Sequence, residues 1–322
     1  MGKGKFVISL DFEIYWGIRD VISLNDYKKN LLGIREAMPF LLHLFKQYNI
    51  NATFATVGFL FFQDKKELCK NLPQEKPHYF NSNLSPYYHV QSIGKNEKED
   101  PFHFGTSTID QVIAAGQEIG SHSFSHFYCL EKGASLQAFK EDLSAAIQIA
   151  SKKKIELKSF VFPRNQYNED YINICKEMGF TSFRGNEKSW LFSSETRGPF
   201  MIFRRPFRLL DSYINLSGHN CYSFDYMKRS PILNISSSRF LRPFSKRLKA
   251  IEKLRLKRIT DSMSFAAKKG LVYHLWWHPH NFGINQSENF SFLENILKHY
   301  KKLNTEFDFE SVSMQQLANE II

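Results

Sequence analysis

The order of apolar and polar positions along the chain predicts short buried strands that alternate with amphipathic helices. Apolar runs bounded by turn residues predict strands at 5–10, 50–57, 159–162, 181–184, 200–205 and 271–276. Apolar residues at helical spacing predict helices at 26–48, 107–118, 135–153, 169–178, 248–267, 287–300 and 312–321. This alternation predicts an α/β fold with a parallel sheet, in which the carboxyl ends of the strands share one face.

The chain shows no internal repeat and no low-complexity linker, and we predict a single domain over 1–322. Two segments interrupt the regular pattern and are predicted to be insertions, near 76–105 and near 208–260. The first is rich in aromatic residues, Asn and Pro, and long irregular segments of this kind commonly carry function.

Potentially reactive side chains follow the predicted strands. Asp11 ends the first apolar run and Glu13 comes two positions later. Arg164 follows the strand at 159–162, and His278 follows the strand at 271–276. At the open end of a parallel barrel these side chains would lie close together, which is where such folds build their sites.

His122 and His126 stand four positions apart in Gly-Ser-His-Ser-Phe-Ser-His, after the helix predicted at 107–118. Two imidazoles at this spacing can bind one divalent cation where the backbone is helical or tightly turned. One carboxylate and two imidazoles are a ligand set typical of zinc, with room left for water. A second carboxylate can act as general base and a further histidine as general acid.

Composition adds limits to this picture. The net charge is +11, and nine basic residues against one acid lie between Arg239 and Arg258. The basic helix at 246–259 fits a solvated face, an anionic membrane surface or a polyanion, and no base-stacking motif supports nucleic acid as a partner. The four cysteines show no Cys-x-x-Cys spacing and are predicted to be reduced. The N-terminal apolar run is too short for a secretion signal, so we expect a cytoplasmic protein, in contact with the inner membrane surface if the helix binds lipid.

Five segments together resemble the polysaccharide deacetylase superfamily, also called the NodB-homology or carbohydrate esterase family 4 fold. The first segment, Ile-Ser-Leu-Asp-Phe-Glu at 8–13, resembles the Asp-x-Glu variant of the first motif, and 51–58 is similar to the second strand. The segment 115–126 resembles the helix and metal motif almost residue for residue. Phe-Pro-Arg at 162–164 and His-Pro at 278–279 resemble the later motifs.

The resemblance implies a deformed (β/α)-barrel that uses zinc or another divalent metal to hydrolyse an acetamide or related C–N bond. It implies that Asp11 is the base and that Arg164 orients it through a charged hydrogen bond. It implies that the metal ligands are Glu13, His122 and His126. His278 would be the acid, with His280 as the alternative. His280 and Asn281 are also candidates for substrate contact.

The chain departs from the family pattern at three places. Phe12 separates the two acids, so the longer Glu13 must reach the metal from a different Cα position, and Arg164 follows Pro163 instead of preceding it. The fourth motif is hard to find. The segment 179–190 is the candidate for it, with Trp190 as a wall facing the substrate.

These observations predict a hydrolase that removes an acetyl group from an N-acetylated carbohydrate during polysaccharide or glycan assembly. An enzyme opening another linear or cyclic amide is the alternative within the same chemistry. A catalytically silent sugar-binding or membrane-associated scaffold is the alternative from another class. His274, inside an apolar strand, and His219 are expected to be structural. The oligomeric state is left open.

Overall fold

A computed structural model of the chain describes residues 2–192 and 201–322, without the side chains of Trp190 and of residues 201–204. The strands are β1 Lys5–Phe12, β2 Ala52–Thr56, β3 Glu118–Ser121, β4 Ser159–Val161, β5 Ser182–Arg184, β6 Leu233–Asn234, β7 Arg239–Phe240, β8 Val272–Trp277 and β9 Glu310–Ser311. The helices are α1 Leu24–Tyr48, α2 Lys65–Lys70, α3 Thr106–Ala114, α4 Leu136–Lys152, α5 Glu169–Glu177, α6 Met201–Asp211, α7 Phe224–Met227, α8 Glu252–Lys269, α9 Gln286–Phe307 and α10 Met314–Ile321.

The strands form one parallel sheet in the order β6-β5-β4-β3-β2-β1-β8-β7, with β9 beside the start of β1. The sheet curls on itself, because Arg184 at the end of β5 forms a salt bridge with Asp11 on β1, although three strands separate them in the order. Near the gap between β6 and β7, the carbonyl of Ile235 accepts a hydrogen bond from His274 on β8. The fold is therefore a deformed (β/α)-barrel, which confirms the predicted fold class.

Local sequence explains where the helices begin. The side chains of Ser23, Ser135, Asn168 and Ser313 each accept a hydrogen bond from a backbone N–H in the first turn of the following helix. Such N-caps satisfy donors that would otherwise lack a partner. Strand β1 is buried along its whole length and pairs with β2 on one side and with β8 on the other.

Two predicted elements were wrong, and one of them directly precedes the two histidines. The predicted helix at 107–118 ends at Ala114, and β3 follows it, so the two histidines follow a strand rather than a helix. The segment predicted as a strand at 200–205 forms the start of α6 within the described residues.

The region 208–260, predicted to be an insertion, contributes β6 and β7 to the sheet. No disulfide joins the four cysteines, of which Cys129 and Cys175 are buried. None of the described helices combines the length and the apolar composition that crossing a bilayer requires.

Candidate active site

The carboxyl end of β1 presents two acids to the open end of the barrel. Successive side chains of a strand point to opposite sides, so Asp11 and Glu13 share a side and Phe12 packs into the core on the other. Both carboxylates are almost completely buried. A buried charge requires partners, and the next strands supply them.

A tight turn after β3 brings the two histidines together. Ser123 and His126 both have positive φ angles, of 60° and 62°, and the rings of His122 and His126 lie 5.0 Å apart. Asp142 on α4 holds this turn, because its carboxylate accepts hydrogen bonds from the backbone N–H groups of Phe124, at 2.7 Å, and Ser125, at 3.1 Å. The expectation of a helical or tightly turned backbone is met by a turn.

The carboxylate of Glu13 lies close to the Nε2 atoms of both histidines. Its Oε2 lies 3.2 Å from Nε2 of His122 and 3.0 Å from Nε2 of His126. One ligand atom from each of the three residues lies within 4.8 Å of the others. The backbone carbonyl of Val161 lies 2.8 Å from Nδ1 of His122 and can accept a hydrogen bond from it, and Nε2 of the same ring faces Glu13.

The charge state of these residues fits a divalent cation. Burial lowers the pKa of His126 to about 4, so its imidazole is neutral near pH 7. Burial opposes ionisation of Glu13, yet the nearby His278, His122 and His126 hold its pKa well below the ordinary value. A carboxylate and two imidazoles are a set that binds zinc and similar metals through three protein ligands. The donor set therefore fits the metal that the sequence predicts.

Asp11 is held by Arg184, not by Arg164 as predicted. The guanidinium donates to Oδ1 at 2.6 Å and to Oδ2 at 2.7 Å, a bidentate geometry. Behind it, Ser9 accepts from Arg184 at 3.0 Å and lies 2.8 Å from Nε2 of His274. His274 is thus a buried structural histidine, as expected. Burial tends to raise the pKa of Asp11, but Arg184 and the nearby histidines lower it overall.

Arg164 points elsewhere because it follows β4 in a turn with a positive φ of 54°. Its guanidinium forms an ion pair with Asp20, lies 3.6 Å from Glu131 and sits over the ring of Tyr128, 4.1 Å from the centroid. The turn directs the side chain toward the loop after β1, whereas Arg184 extends from a strand into the barrel. The Arg164 side chain therefore links neighbouring loops through Asp20, Glu131 and Tyr128, and it does not contact Asp11.

His278 completes the cluster from the end of β8. Its Nε2 lies 3.5 Å from Oε1 of Glu13 and 3.8 Å from Oδ2 of Asp11, and its side chain is 25% exposed. His280 stacks on His278 with ring centroids 5.1 Å apart, but it is more deeply buried, and burial lowers its pKa to about 3. Asn281 accepts a hydrogen bond from Tyr27 at 3.2 Å. The predicted wall residue Trp190 has a side chain outside the described part of the structure.

Sequence reasoning missed Arg184 and Asp142. A charged residue that ends an apolar run, as Arg184 does, was a usable signal, since Asp11 was found in the same way. Asp142 gave no such signal, because an acid within an amphipathic helix is common at the surface.

Comparison with known proteins identifies the family and supports the fold. The model of the polysaccharide deacetylase family matches residues 21–183, slightly more than half of the chain. A Mycobacterium smegmatis protein described as a candidate polysaccharide deacetylase has a similar structure, with a TM-score of 0.60, 12% identity, and coverage of 100% of this chain and 91% of that chain. No curated protein matches the chain in sequence.

Two further structures share the fold. The Puue allantoinase has a TM-score of 0.55 at 12% identity, over 98% of this chain and 88% of that chain. A Pseudomonas aeruginosa PAO1 protein, also described as a candidate polysaccharide deacetylase, has a TM-score of 0.53 at 13% identity, over 98% and 89% of the two chains. At such identities the structures support the fold alone. The family match over more than half of its length shows that this chain belongs to the polysaccharide deacetylase family.

Proposed function

We propose that the protein is a metal-dependent hydrolase that removes the acetyl group from an N-acetylated amino sugar during polysaccharide or glycan assembly. The observation that carries this proposal is the convergence of Asp11, Glu13, His122, His126 and His278 at the carboxyl ends of three strands of one barrel. Family membership supports the reaction class.

Glu13, His122 and His126 would hold the metal, with zinc as the first candidate. A bound divalent cation supplies a Lewis acid and makes water a better nucleophile near neutral pH. The chain then has to move two protons: one away from the attacking water and one onto the departing amine. The two remaining polar side chains of the cluster fit these two steps.

Asp11 is the proposed base. The lowered pKa keeps its carboxylate ionised, and the two hydrogen bonds from Arg184 fix its orientation. His278 is the proposed acid, because its Nε2 faces both carboxylates while part of its ring is exposed. A proton held on His278 can pass to the amine as the C–N bond breaks. His280 and Asn281, next to His278, remain the proposed substrate contacts.

Acetate release tests the proposal. The purified protein, loaded with zinc, would be incubated with a panel of N-acetylated amino sugars and oligosaccharides, and with cyclic imides in parallel. We expect acetate from the sugars, and almost none from the Asp11→Asn variant with its zinc retained. Hydrolysis of the cyclic imides alone would favour the alternative amide substrate. Neither turnover nor bound metal would favour the silent scaffold.

Only the exposed part of the basic helix at 246–259 supports a proposed contact with an anionic membrane. Arg255 and Arg258 of α8 are buried, and Arg255 pairs with Glu252 while Arg258 lies 3.6 Å from Asp211, so these cations do not face a lipid surface. The exposed basic residues of 246–259 are Lys246, Arg247, Lys249, Lys253 and Lys257. Leu254 and Ile251, 47% and 36% exposed, lie among them. An exposed face that combines apolar and basic side chains is suited to an anionic bilayer.

A peripheral position on the inner membrane surface of the cytoplasm is therefore part of the proposal. Cosedimentation with vesicles tests it, using neutral vesicles and vesicles with anionic lipid. We expect binding to the anionic vesicles only, weakened in a Lys249→Glu/Lys253→Glu variant. The matched control is Lys28→Glu/Lys29→Glu, which changes the same charge at exposed positions of α1. Equal, negligible sedimentation with both lipids would remove the membrane contact and leave the hydrolase proposal intact.

A further inference from the structure

Glu13 rests directly against Gly17. A Cβ atom placed on Gly17 would lie 1.9 Å from Cδ of Glu13 and 2.2 Å from each of its carboxylate oxygens. Heavy atoms in contact without a bond are normally about 3.5 to 4 Å apart. A side chain at position 17 and the present position of the Glu13 carboxylate therefore exclude each other.

We propose that Gly17 is a positioning residue for the metal site. The missing side chain gives the long Glu13 arm the space in which its carboxylate meets His122 and His126. This inference rests on the proposed function, since it assigns Glu13 to the metal. A glutamate side chain is one methylene longer than an aspartate side chain, and the absent side chain of Gly17 leaves the space that the Glu13 carboxylate occupies.

Several hydrogen bonds fix the loop that carries Gly17, so its backbone cannot easily shift away from Glu13. Trp16 is fully buried, and its Nε1 donates to the carbonyl of His103 at 2.9 Å. Its backbone N–H donates to the carbonyl of Glu13 at 3.1 Å, and Tyr15 donates to the carbonyl of Phe102 at 3.2 Å. With the backbone held in this way, an added methyl group would displace the Glu13 side chain.

The backbone at Gly17 does not itself require glycine. Its φ lies outside the left-handed region, unlike that of Ile14 in the same loop, where φ is 47°. The atoms nearest to an added methyl group all belong to the end of the Glu13 side chain, and none of them belongs to the backbone. Alanine at this position should therefore leave the fold intact and move the carboxylate away from the two histidines.

Side-chain length gives a sharper form of the test. An aspartate at position 13 would draw the carboxylate back by roughly one C–C bond, about 1.5 Å. The methyl group of an alanine at position 17 should then overlap much less with that carboxylate. The effects of Gly17→Ala and Glu13→Asp should not add, which is the signature of two side chains that compete for one space.

The experiment compares the wild type with Gly17→Ala, Glu13→Asp and the double variant. Zinc affinity is measured by competition with a chromophoric chelator, and thermal unfolding is measured on the metal-free proteins. We expect Gly17→Ala to lose about 10- to 100-fold in zinc affinity with little change in Tm. In the Glu13→Asp background, Gly17→Ala should lower the zinc affinity by less than about threefold. Gly2→Ala is the control, because its Cβ would meet only the Phe224 ring, at 3.5 Å.

Two results would overturn the inference: wild-type zinc affinity in Gly17→Ala, or an equal loss with glutamate and with aspartate at position 13. If the wild type itself binds no zinc, the metal proposal fails, and the steric claim is decided by NMR of the metal-free proteins. The imidazole signals of His122 and His126 should shift in Gly17→Ala because Glu13 leaves them. Unchanged signals would contradict the displacement.

Discussion

Arg184 binds both carboxylate oxygens of Asp11 from the opposite side of the barrel, at 2.6 and 2.7 Å. The guanidinium also lies over the ring of Trp276, 4.0 Å from its centroid, and lies 3.2 Å from the side-chain oxygen of Asn165. Both partners of the ion pair are buried, so neither is exchanged for water. The proposed base is thereby held ionised and in one orientation.

Replacing Arg184 by glutamine should reduce kcat by about 100-fold or more, within the range that a positioned base contributes. Without the guanidinium, only the nearby histidines oppose the effect of burial and the pKa of Asp11 rises, so the acidic limb of the pH–rate profile should move to higher pH. The matched control is Arg164→Gln, because the Arg164 side chain is 31% exposed and contacts Asp20, not Asp11. Equal losses in both variants would show that Arg184 has no special relation to the base.

His278→Gln and His280→Gln separate the two candidates for the general acid. His278 faces Asp11 and Glu13, so its loss should lower kcat by roughly 100- to 10,000-fold with the metal retained. We expect His280→Gln to act mainly on KM, as a proposed substrate contact. Steady-state kinetics with metal analysis of both variants decides this, and the reverse pattern would transfer the acid to His280.

Asp211 stabilises the buried part of the basic region. Its carboxylate lies 3.1 Å from Arg239 and 3.6 Å from Arg258, and it is completely buried. Asp211→Asn leaves two buried cations without their charge partner and should lower the free energy of unfolding by about 3 to 5 kcal/mol. Asp261→Asn, which breaks an exposed pair with Lys257, should cost less than about 1 kcal/mol. Chemical denaturation measures both, and similar small losses would contradict the account.

Asp142 should make stability depend on pH. Burial raises its pKa to about 6 from an ordinary 3.8, although hydrogen bonds from Ser125 and Phe124 lower it. A raised pKa in the folded state favours folding below pH 4, and this contribution is lost as the pH rises through about 6. Relative to Asp142→Asn, the wild type should therefore lose up to roughly 3 kcal/mol between pH 4 and 7. Parallel stability profiles for the two proteins would contradict the assignment.

The sequence predicted the parts of the site that follow from local pattern. The apolar run before Asp11 and the spacing of His122 and His126 indicated a carboxylate and two imidazoles that could bind one cation, and the family resemblance implied that they meet in a deformed barrel. The short strand β3 was not predicted because it contains no apolar run: three of its four residues are Glu118, Gly120 and Ser121. Tertiary pairing with β2 makes it a strand despite its composition.

The choice between Arg164 and Arg184 could not be made from the sequence, because both arginines follow or end a predicted strand. Which one reaches Asp11 depends on the curl of the sheet and on the positive φ at Arg164. The space beside Glu13 is equally a tertiary property, since it exists only because the loop folds back and places Gly17 against the carboxylate.

The central claim is that Glu13, His122 and His126 form a metal site next to a separate base. Zinc content and affinity, measured on the wild type, His122→Ala and Asp11→Asn, test it most directly. We predict one zinc per wild-type chain, loss of both zinc and turnover in His122→Ala, and loss of turnover alone in Asp11→Asn. Full zinc affinity in His122→Ala would contradict the account.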